Sequence, residues 1–454
     1  MVMSVAVFAL FLFAPRVLAD GDTFWHIRAG EWILSHGRVP HEDPFGYTTH
    51  GLPWVPHEWL AEVLLALAWL AAGWSGVVIL CGAAGALAFW IMARALERWV
   101  PSLPAYGLLL VTLVALMPGL LARPHVLALP AMVGWTVLLV RAREDGRAPS
   151  LWASALMCLW ANLHGGYFAG LVLAGVLAAE AVWQARGRMD VVRGWMGFLV
   201  FSGLMALATP HGAAGLLFPL HMMALTQKSG IQEWAPPDFS GFEPLVLILP
   251  AVLFLGLVGR ARLPLFRVLV VLGLAYGALR HARLGLQLAV FGFLILAPFA
   301  VVPGNAASAR PAGRGRERER AALAALLLAL TVVRLAMPLE RAEDAMAPRS
   351  ALAAVPASVL GTPVLNEYHL GGFLIFNGVA PFIDSRADLY GDRRLEEYTA
   401  IAAGQDAAVA RALEGWKIGW VIAAPGSALA GWFEGRAGWR RIYGDGFAVV
   451  FARG

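Results

Sequence analysis

The chain has 454 residues, 59% of them hydrophobic and only 14% charged, with a mean hydropathy of +0.67 and a formal charge of +5. Soluble domains carry about 25% charge, so this composition puts most of the chain in lipid and excludes an ordinary soluble enzyme. The positive charge is almost all arginine in short segments between apolar runs, a pattern of membrane topology rather than of nucleic-acid binding.

Residues 1–19 form the first apolar run. Its end resembles a signal-cleavage site, but its n-region carries no basic side chain, so an uncleaved first span is expected. The next segment, residues 20–74, is a first outer loop that gathers Asp20, Asp22, His26, Asp43, His57 and Glu58 among several tryptophans. Trp25, Trp32, Trp54 and Trp59 read as an interfacial belt. Within the loop, residues 58–72 are too short to span and carry Glu58 and Glu62 at their front. They are expected to lie along the membrane face.

Further apolar runs lie near 75–93, 105–121, 125–141, 150–163, 166–184, 194–209, 244–259, 266–279, 285–303 and 321–338. The expected fold class is a polytopic α-helical membrane protein of about eleven transmembrane helices over residues 1–339. Cys81 and Cys158 both fall in apolar runs and offer no disulfide framework. With 58–72 in the membrane plane, the arginine-rich loops at 94–104, 141–149, 185–193, 260–267 and 304–320 share one side, which the positive-inside rule makes cytoplasmic. The eleven histidines then fall at the opposite, outer side. Ionisable groups at membrane depth are costly and usually mark a functional cavity. One acidic, histidine-rich cavity facing outward follows.

Besides the first loop, four segments would line that cavity. They supply Arg123 and His125 from "LLARPHV", His164 from "WANLHGGYFAG", His211 and Glu233 from "TPHGAAG" and "GIQEWAPPDF", and Arg280, His281 and Arg283 from "LRHARLG". Arginine forks suit phosphate oxygens, and a nearby carboxylate suits a general base on an acceptor hydroxyl or amine. Blander readings compete: aspartates cap helices, and arginines at helix ends snorkel. No glycine-rich phosphate loop opens a helix after a strand, so no soluble nucleotide donor is indicated.

At these residues the sequence resembles the GT-C superfamily of polytopic glycosyltransferases, and within it the catalytic subunit of oligosaccharyltransferase. "GDTFWHIRAGEWI" is similar to that family's first acidic motif, which implies a catalytic role for Asp22, with Asp20 beside it. "DPFGYTTHG" resembles the Asp-Pro stretch later in the same loop. "GIQEWAPPDF" resembles the mobile segment whose glutamate reaches the site, which maps to Glu233. "LRHARLGLQLAVFGFLILAP" resembles the late span whose arginine binds the lipid phosphate, which maps to Arg280 or Arg283. The resemblance covers roughly residues 1–303. Arg123 and His125 stand where an Asp-x-Asp is expected, so a divalent metal such as Mg or Mn, held by Asp22 and His125, stays open. The Trp-Trp-Asp motif that reads glycosylation sequons is absent. The resemblance thus implies a bacterial branch of these membrane proteins that takes a sugar from a polyprenyl-phosphate-linked donor. The acceptor would be a glycan, a lipid or another envelope component, and the site would face the periplasm from the inner membrane.

Residues 340–454 read as a small α/β domain on the outer side. "PVLNEY", "GGFLIFNG", "APFIDSR", "GWVIAAP", "WRRIYG" and "FAVVFAR" are expected as strands, and 393–413 and 427–435 as helices. Asp384, Arg386 and Asp388 form its polar cluster, read as an ion pair closing a strand, as a contact to the acceptor or as part of a lid over the cavity. A transporter of lipid-linked sugar would show internal repeats and mid-bilayer charges on broken helices, and neither is legible. An envelope assembly protein would tolerate loss of Asp22.

The topology is open to reporter fusions. Fusions at Ala148 and Ala307 should report cytoplasm, and fusions after Gly230 and at Gly454 the outer side. An outer signal at Ala148 would mean that 58–72 crosses the bilayer.

Overall fold

The computed structural model describes residues 1–224, 235–258, 263–300 and 314–454. The helices run in chain order α1 (Val2–Phe13), α2 (Asp22–His36), α3 (Trp59–Leu96), α4 (Ser102–Leu116), α5 (Pro124–Glu144), α6 (Ala155–Leu163), α7 (Tyr167–Gln184), α8 (Met189–Ala206), α9 (Gly212–Ala224), α10 (Leu245–Val258), α11 (Leu265–Arg280), α12 (Gly285–Leu296) and α13 (Arg314–Ala336). Among the described residues, six helices are long and apolar enough to cross a membrane, and four shorter apolar helices accompany them. Their outward faces carry bare apolar side chains such as Leu103, Leu257 and Trp183. In lipid this exposure carries no hydrophobic cost.

The helix α3 is continuous by hydrogen bonding but not by backbone. Ala72 and Gly73 leave helical geometry, Gly73 with φ +56° and ψ −143°. A glycine meets that conformation with little strain. Past the break the chain folds back so tightly that a Cβ at Gly76 would overlap the Ala68 carbonyl. Residues 59–71 and 74–96 are therefore two rods joined at a corner. The expected short helix exists, and the span-like run follows it without a loop.

Arg267, read from the sequence as a loop charge, lies instead inside α11 and is only 2% exposed. Its Nε donates to Glu180 at 3.1 Å and its Nη1 to the Ile295 carbonyl at 2.8 Å. Arg143 donates to the same carboxylate at 3.1 Å. A buried guanidinium needs this much pairing to be tolerated. The cluster ties α5, α7, α11 and α12 at one end of the bundle.

The C-terminal domain adds α14 (Arg349–Ala353), α15 (Ala357–Leu360), α16 (Gly371–Phe376), α17 (Ala387–Ala402), α18 (Asp406–Gly415) and α19 (Ala428–Phe433) around a four-stranded sheet. The strands β1 (Val364–Asn366), β2 (Trp420–Ala423), β3 (Trp439–Gly444) and β4 (Val449–Arg453) lie in the order β1-β2-β4-β3. The pair β1 and β2 is parallel, and the other two pairs are antiparallel. Two expected strands are not formed. "GGFLIFNG" is the helix α16, because Gly371 and Gly372 let it lie directly on the backbones of Ile383 and Gly21, where a Cβ would collide. "APFIDSR" is irregular and spends its polar groups on side chains: Asn366 accepts from the Phe382 N–H and donates to the Ile383 carbonyl. The expected helix 393–413 is two helices, divided at Gly404 with φ +68°.

The domain is fastened to the loop between α2 and α3. Asp43 opens a tight turn, accepting from the Phe45 and Gly46 N–H groups and from the Thr49 hydroxyl. Its carboxylate also takes Arg386 Nη1 at 2.6 Å, while Asp384 takes the same guanidinium at 2.7 and 2.9 Å. All three side chains are at most 2% exposed. Burial alone would raise the Asp43 carboxyl, but the Arg386 charge and the hydrogen bonds from Arg386 and Thr49 outweigh it and leave it lowered. The Tyr47 hydroxyl donates to the Val364 carbonyl, the Thr48 hydroxyl to the Phe382 carbonyl, and Arg394 to the Thr48 carbonyl.

Arg386→Met leaves two buried carboxylates without their cation. It should cost about 3–5 kcal/mol of stability, read as a lower unfolding midpoint in detergent. A group with a lowered folded pKa stabilises above its unfolded value, about 3.9, and loses that contribution as pH falls through the folded one. The wild-type docking should therefore hold at pH 5 to 8 and weaken only below about pH 4. An unfolding midpoint unchanged by the substitution would remove this clamp from the fold.

Candidate active site

The site is built where α2 meets the first half of α3. Gly30 makes this possible: a Cβ there would overlap the Glu62 carbonyl, so the two helices touch backbone to backbone. That approach brings His26, one turn before Gly30, onto the acidic start of α3. His26 Nδ1 lies 3.4 Å from Glu62 Oε1, and its Nε2 lies 3.8 Å from Glu58 Oε2.

Glu58 is surrounded by imidazoles. Besides His26, His57 Nε2 is 3.6 Å and His164 Nε2 3.4 Å from Glu58 Oε1. His164 caps the end of α6, held by the turn that carries Gly165 and Gly166. Its Nδ1 accepts the Gly166 N–H at 2.9 Å, which puts the ring proton of the neutral form on Nε2, facing Glu58. His125, at the start of α5, gives its Nε2 proton to the Gly119 carbonyl at 2.8 Å and lies 6.2 Å from the His164 ring. Trp59 Nε1 donates to Asn162 Oδ1 at 2.6 Å, fixing the mouth of α3 against α6.

Burial makes His26, His57, His164 and His211 neutral at ordinary pH. Burial first, then His57, His125 and Arg386, holds His26 well below its usual value. Burial, then the Arg283 and His211 charges, brings His57 down to about 3, against a hydrogen bond to the Val55 backbone that raises it. His164 is lowered by burial and then by His125 and Arg283. His211, edge-on to His41 at 4.8 Å, is lowered to about 4 by burial and then by His41.

Beside this cluster lie the two acids of the loop. Arg123, the residue before α5, contacts Asp20 through Nε and Asp22 through Nη2. Its segment is docked by two bonds: the Ala122 N–H donates to the Val17 carbonyl at 2.9 Å, and the Thr23 hydroxyl donates to the Ala122 carbonyl at 3.0 Å. Asp22 is the first residue of α2, as the sequence suggests, and its N–H lies 3.3 Å from Asp20 Oδ1. Asp20 thus behaves partly as a helix cap.

The structure brings together Asp20, Asp22 and Arg123 in one group, and His26, His57, Glu58, His125 and His164 in another. Arg283 is half-buried and within electrostatic reach of His57 and His164, whereas Arg280 is exposed. His281 precedes Arg283 in the same short turn, whose Ala282 N–H donates to the Ala235 carbonyl. Asp43 is held apart, in the interdomain cluster, with its acceptors spent on the fold. Glu233 lies outside the described residues. Sequence reasoning missed Glu62 as a site group, although its spacing from Glu58, four residues on one helix, places both on one face. A divalent metal does not fit this arrangement: Arg123 engages Asp22, His125 spends Nε2 on a carbonyl, and no group of three or more His, Cys, Asp or Glu among the described residues is set to hold an ion.

No family model matches the sequence, and no curated protein does. Solved structures do match over nearly the whole chain. ArnT from Cupriavidus metallidurans, bound to undecaprenyl phosphate, superposes with a TM-score of 0.51 at 14% identity, covering 99% of this chain and 97% of that one. The oligosaccharyltransferase of Archaeoglobus fulgidus in its apo form gives 0.55 at 12% identity, over 95% of this chain and 71% of that one. The same organism's AglB, in complex with an inhibitory peptide and a dolichol-phosphate, gives 0.50 at 12% identity over 96% and 71%. At such identities the likeness shows the fold alone: this chain shares the fold of ArnT and of the archaeal oligosaccharyltransferase.

Proposed function

We propose that this chain is a glycosyltransferase that moves a sugar from a polyprenyl-phosphate-linked donor to a glycan, lipid or other envelope acceptor. In this reading about eleven spans cross the inner (plasma) membrane, the cavity faces the periplasm, and the C-terminal domain, residues 340–454, lies on that side. The observation that carries it is the grip of Arg123 on Asp20 and Asp22 beside the histidine-caged Glu58, with Arg283 within electrostatic reach of the same histidines. Two structural neighbours hold a polyprenyl-type phosphate, undecaprenyl phosphate in one and dolichol-phosphate in the other, which supports a lipid-phosphate donor.

The chemistry proposed is a single inverting displacement. The acceptor oxygen attacks the anomeric carbon, and the bond from that carbon to the phosphate oxygen breaks with its electron pair leaving on the phosphate. Asp22 receives the acceptor proton, and Asp20 orients the acceptor. Arg283 takes up the charge gathering on the leaving phosphate, since a guanidinium fork matches phosphate geometry. The neutral histidines and Glu58 offer donors and acceptors to sugar hydroxyls. They add no positive charge that would compete with Arg283 for the phosphate.

The decisive assay reconstitutes the full chain in lipid nanodiscs and screens a set of undecaprenyl-phosphate-linked pentoses and hexoses for consumption. Asp22→Asn keeps the shape and removes the base, so it should slow turnover by a factor of about 100 or more, with donor affinity nearly unchanged. If Asp22→Asn and Asp20→Asn both turn over at the wild-type rate, the enzyme reading fails at its centre.

Arg283→Ala should weaken binding of undecaprenyl phosphate by at least about tenfold, the scale of one lost charge-assisted contact. Arg280→Ala, with its side chain outside the cluster, should change it little. Equal affinity in both variants and in the double variant would take the donor phosphate away from this turn.

A further inference from the structure

The backbone that presents Asp20 and Asp22 is held from the far end of the chain. We propose that Arg341 is a positioning residue, and that the C-terminal domain serves to set the geometry of the Asp20–Asp22 loop rather than to close over the site as a lid. This rests on the reading of Asp20 and Asp22 as the acids of the transfer.

Arg341 lies five residues past the end of α13, in the segment that leads into the C-terminal domain, and is only 4% exposed. Its Nη1 donates to the Asp20 carbonyl at 3.0 Å. Its guanidinium stacks over Phe24 at 4.1 Å and stands 6.0 Å from Trp74. Asp344 is its carboxylate neighbour at 3.7 Å, and its Nε and Nη2 have no hydrogen-bond partner. A buried arginine that satisfies so few of its five N–H groups is expensive. An apolar side chain would pack between Phe24 and Trp74 at lower cost. What the arginine supplies instead is one bond to the loop backbone and a positive charge next to Asp20. Burial lowers it to about 10, with Asp344 and Asp20 raising and Arg349 lowering it, so it stays cationic at neutral pH.

The domain also grips the loop by shape. A Cβ on Gly21 would come within 2.9 Å of the His369 carbonyl, and a Cβ on Gly372 would press on the Gly21 carbonyl. The turn at 369–372 therefore sits directly on the peptide between the two acids. One turn further along α2, Trp25 Nε1 donates to Ser385 Oγ at 3.0 Å. The acids thus have Arg123 on one side and domain backbone on the other. A lid would need this contact to open with each turnover, and close glycine-to-backbone packing has no partly open state of similar energy. The charged and titratable groups around the loop are Arg123 from the start of α5, Arg341 with Asp344 and Arg349 from the connecting segment, and Tyr368 and His369 from the turn.

The test uses the full chain in nanodiscs with the undecaprenyl-phosphate sugar that the wild type consumes. Arg341→Met keeps the packing and loses the bond and the charge. It should lower kcat by about tenfold to hundredfold, the scale of a small misplacement of reacting groups, with KM for the donor and binding of undecaprenyl phosphate within about twofold. Loss of a neighbouring cation disfavours a carboxylate's charged form, so the acid limb of the kcat/KM profile should move to higher pH. Arg341→Lys, which restores charge and a donor, should return most of both effects. A structural residue would move neither the pH profile nor its rescue. If Arg341→Met does not fold, Gly372→Ala carries the test, with the same loss of kcat and unchanged donor binding expected. Wild-type kcat with an unshifted profile in Arg341→Met, or wild-type kcat in a folded Gly372→Ala, would overturn the proposal. If Asp22→Asn is inactive while these variants are not, only this inference falls. If Asp22→Asn and Asp20→Asn are themselves active, the reading beneath it falls.

Discussion

A carboxylate taken out of water must find a cation or several donors, and this requirement ties the first loop to the rest of the chain. Asp43 is answered by Arg386 from the C-terminal domain. Asp20 and Asp22 are answered together by Arg123 from the start of α5. Arg341 adds a bond to the loop backbone from the connecting segment. The loop has little regular structure of its own between residues 37 and 58 beyond one isolated bridge between Glu42 and Pro53. Its shape is therefore dictated by where its charges are met.

The two acidic groups differ in their surroundings. Asp20 and Asp22 face a guanidinium, which is permanently charged. Glu58 faces imidazoles that burial keeps neutral. Carboxylates placed in unlike environments can take unlike tasks. The corner at Ala72 and Gly73 supports this separation, since it lets residues 59–71 run alongside α2 while 74–96 run with the bundle. Without a glycine there, Glu58 and Glu62 would be carried along the axis of the span, away from His26.

Much of this was legible in the sequence. Hydropathy marked the helices, and charge patterning marked 58–72 as a piece distinct from the span that follows. Asp22 was readable as a helix start, and His125 and His164 as side chains that come near each other. What was hidden depends on contacts across hundreds of residues. Nothing local to Arg341 separates it from an arginine ending a span, and nothing local to Asp43 separates a substrate contact from an interdomain clamp. Arg267 misled because the positive-inside rule counts charges and does not see a buried Glu180 waiting to pair with one. "GGFLIFNG" misled because its apolar run reads equally as strand or helix, and the glycines that decide it act through distant backbone, Gly371 through Ile383 and Gly372 through Gly21.

That long reach has a consequence for the order in which the protein is made. Asp43 and its partner Arg386 are separated by 343 residues, and Asp20 and Arg341 by 321. Synthesis proceeds from the N-terminus at about 5–20 residues per second, so the first loop is made many seconds before either arginine has been translated. During that interval Asp43 and the Asp20 carbonyl meet water instead of their partners. A nascent chain with its helices already inserted is thus an unfinished site, and assembly of the acidic loop is the closing act of biogenesis rather than its beginning.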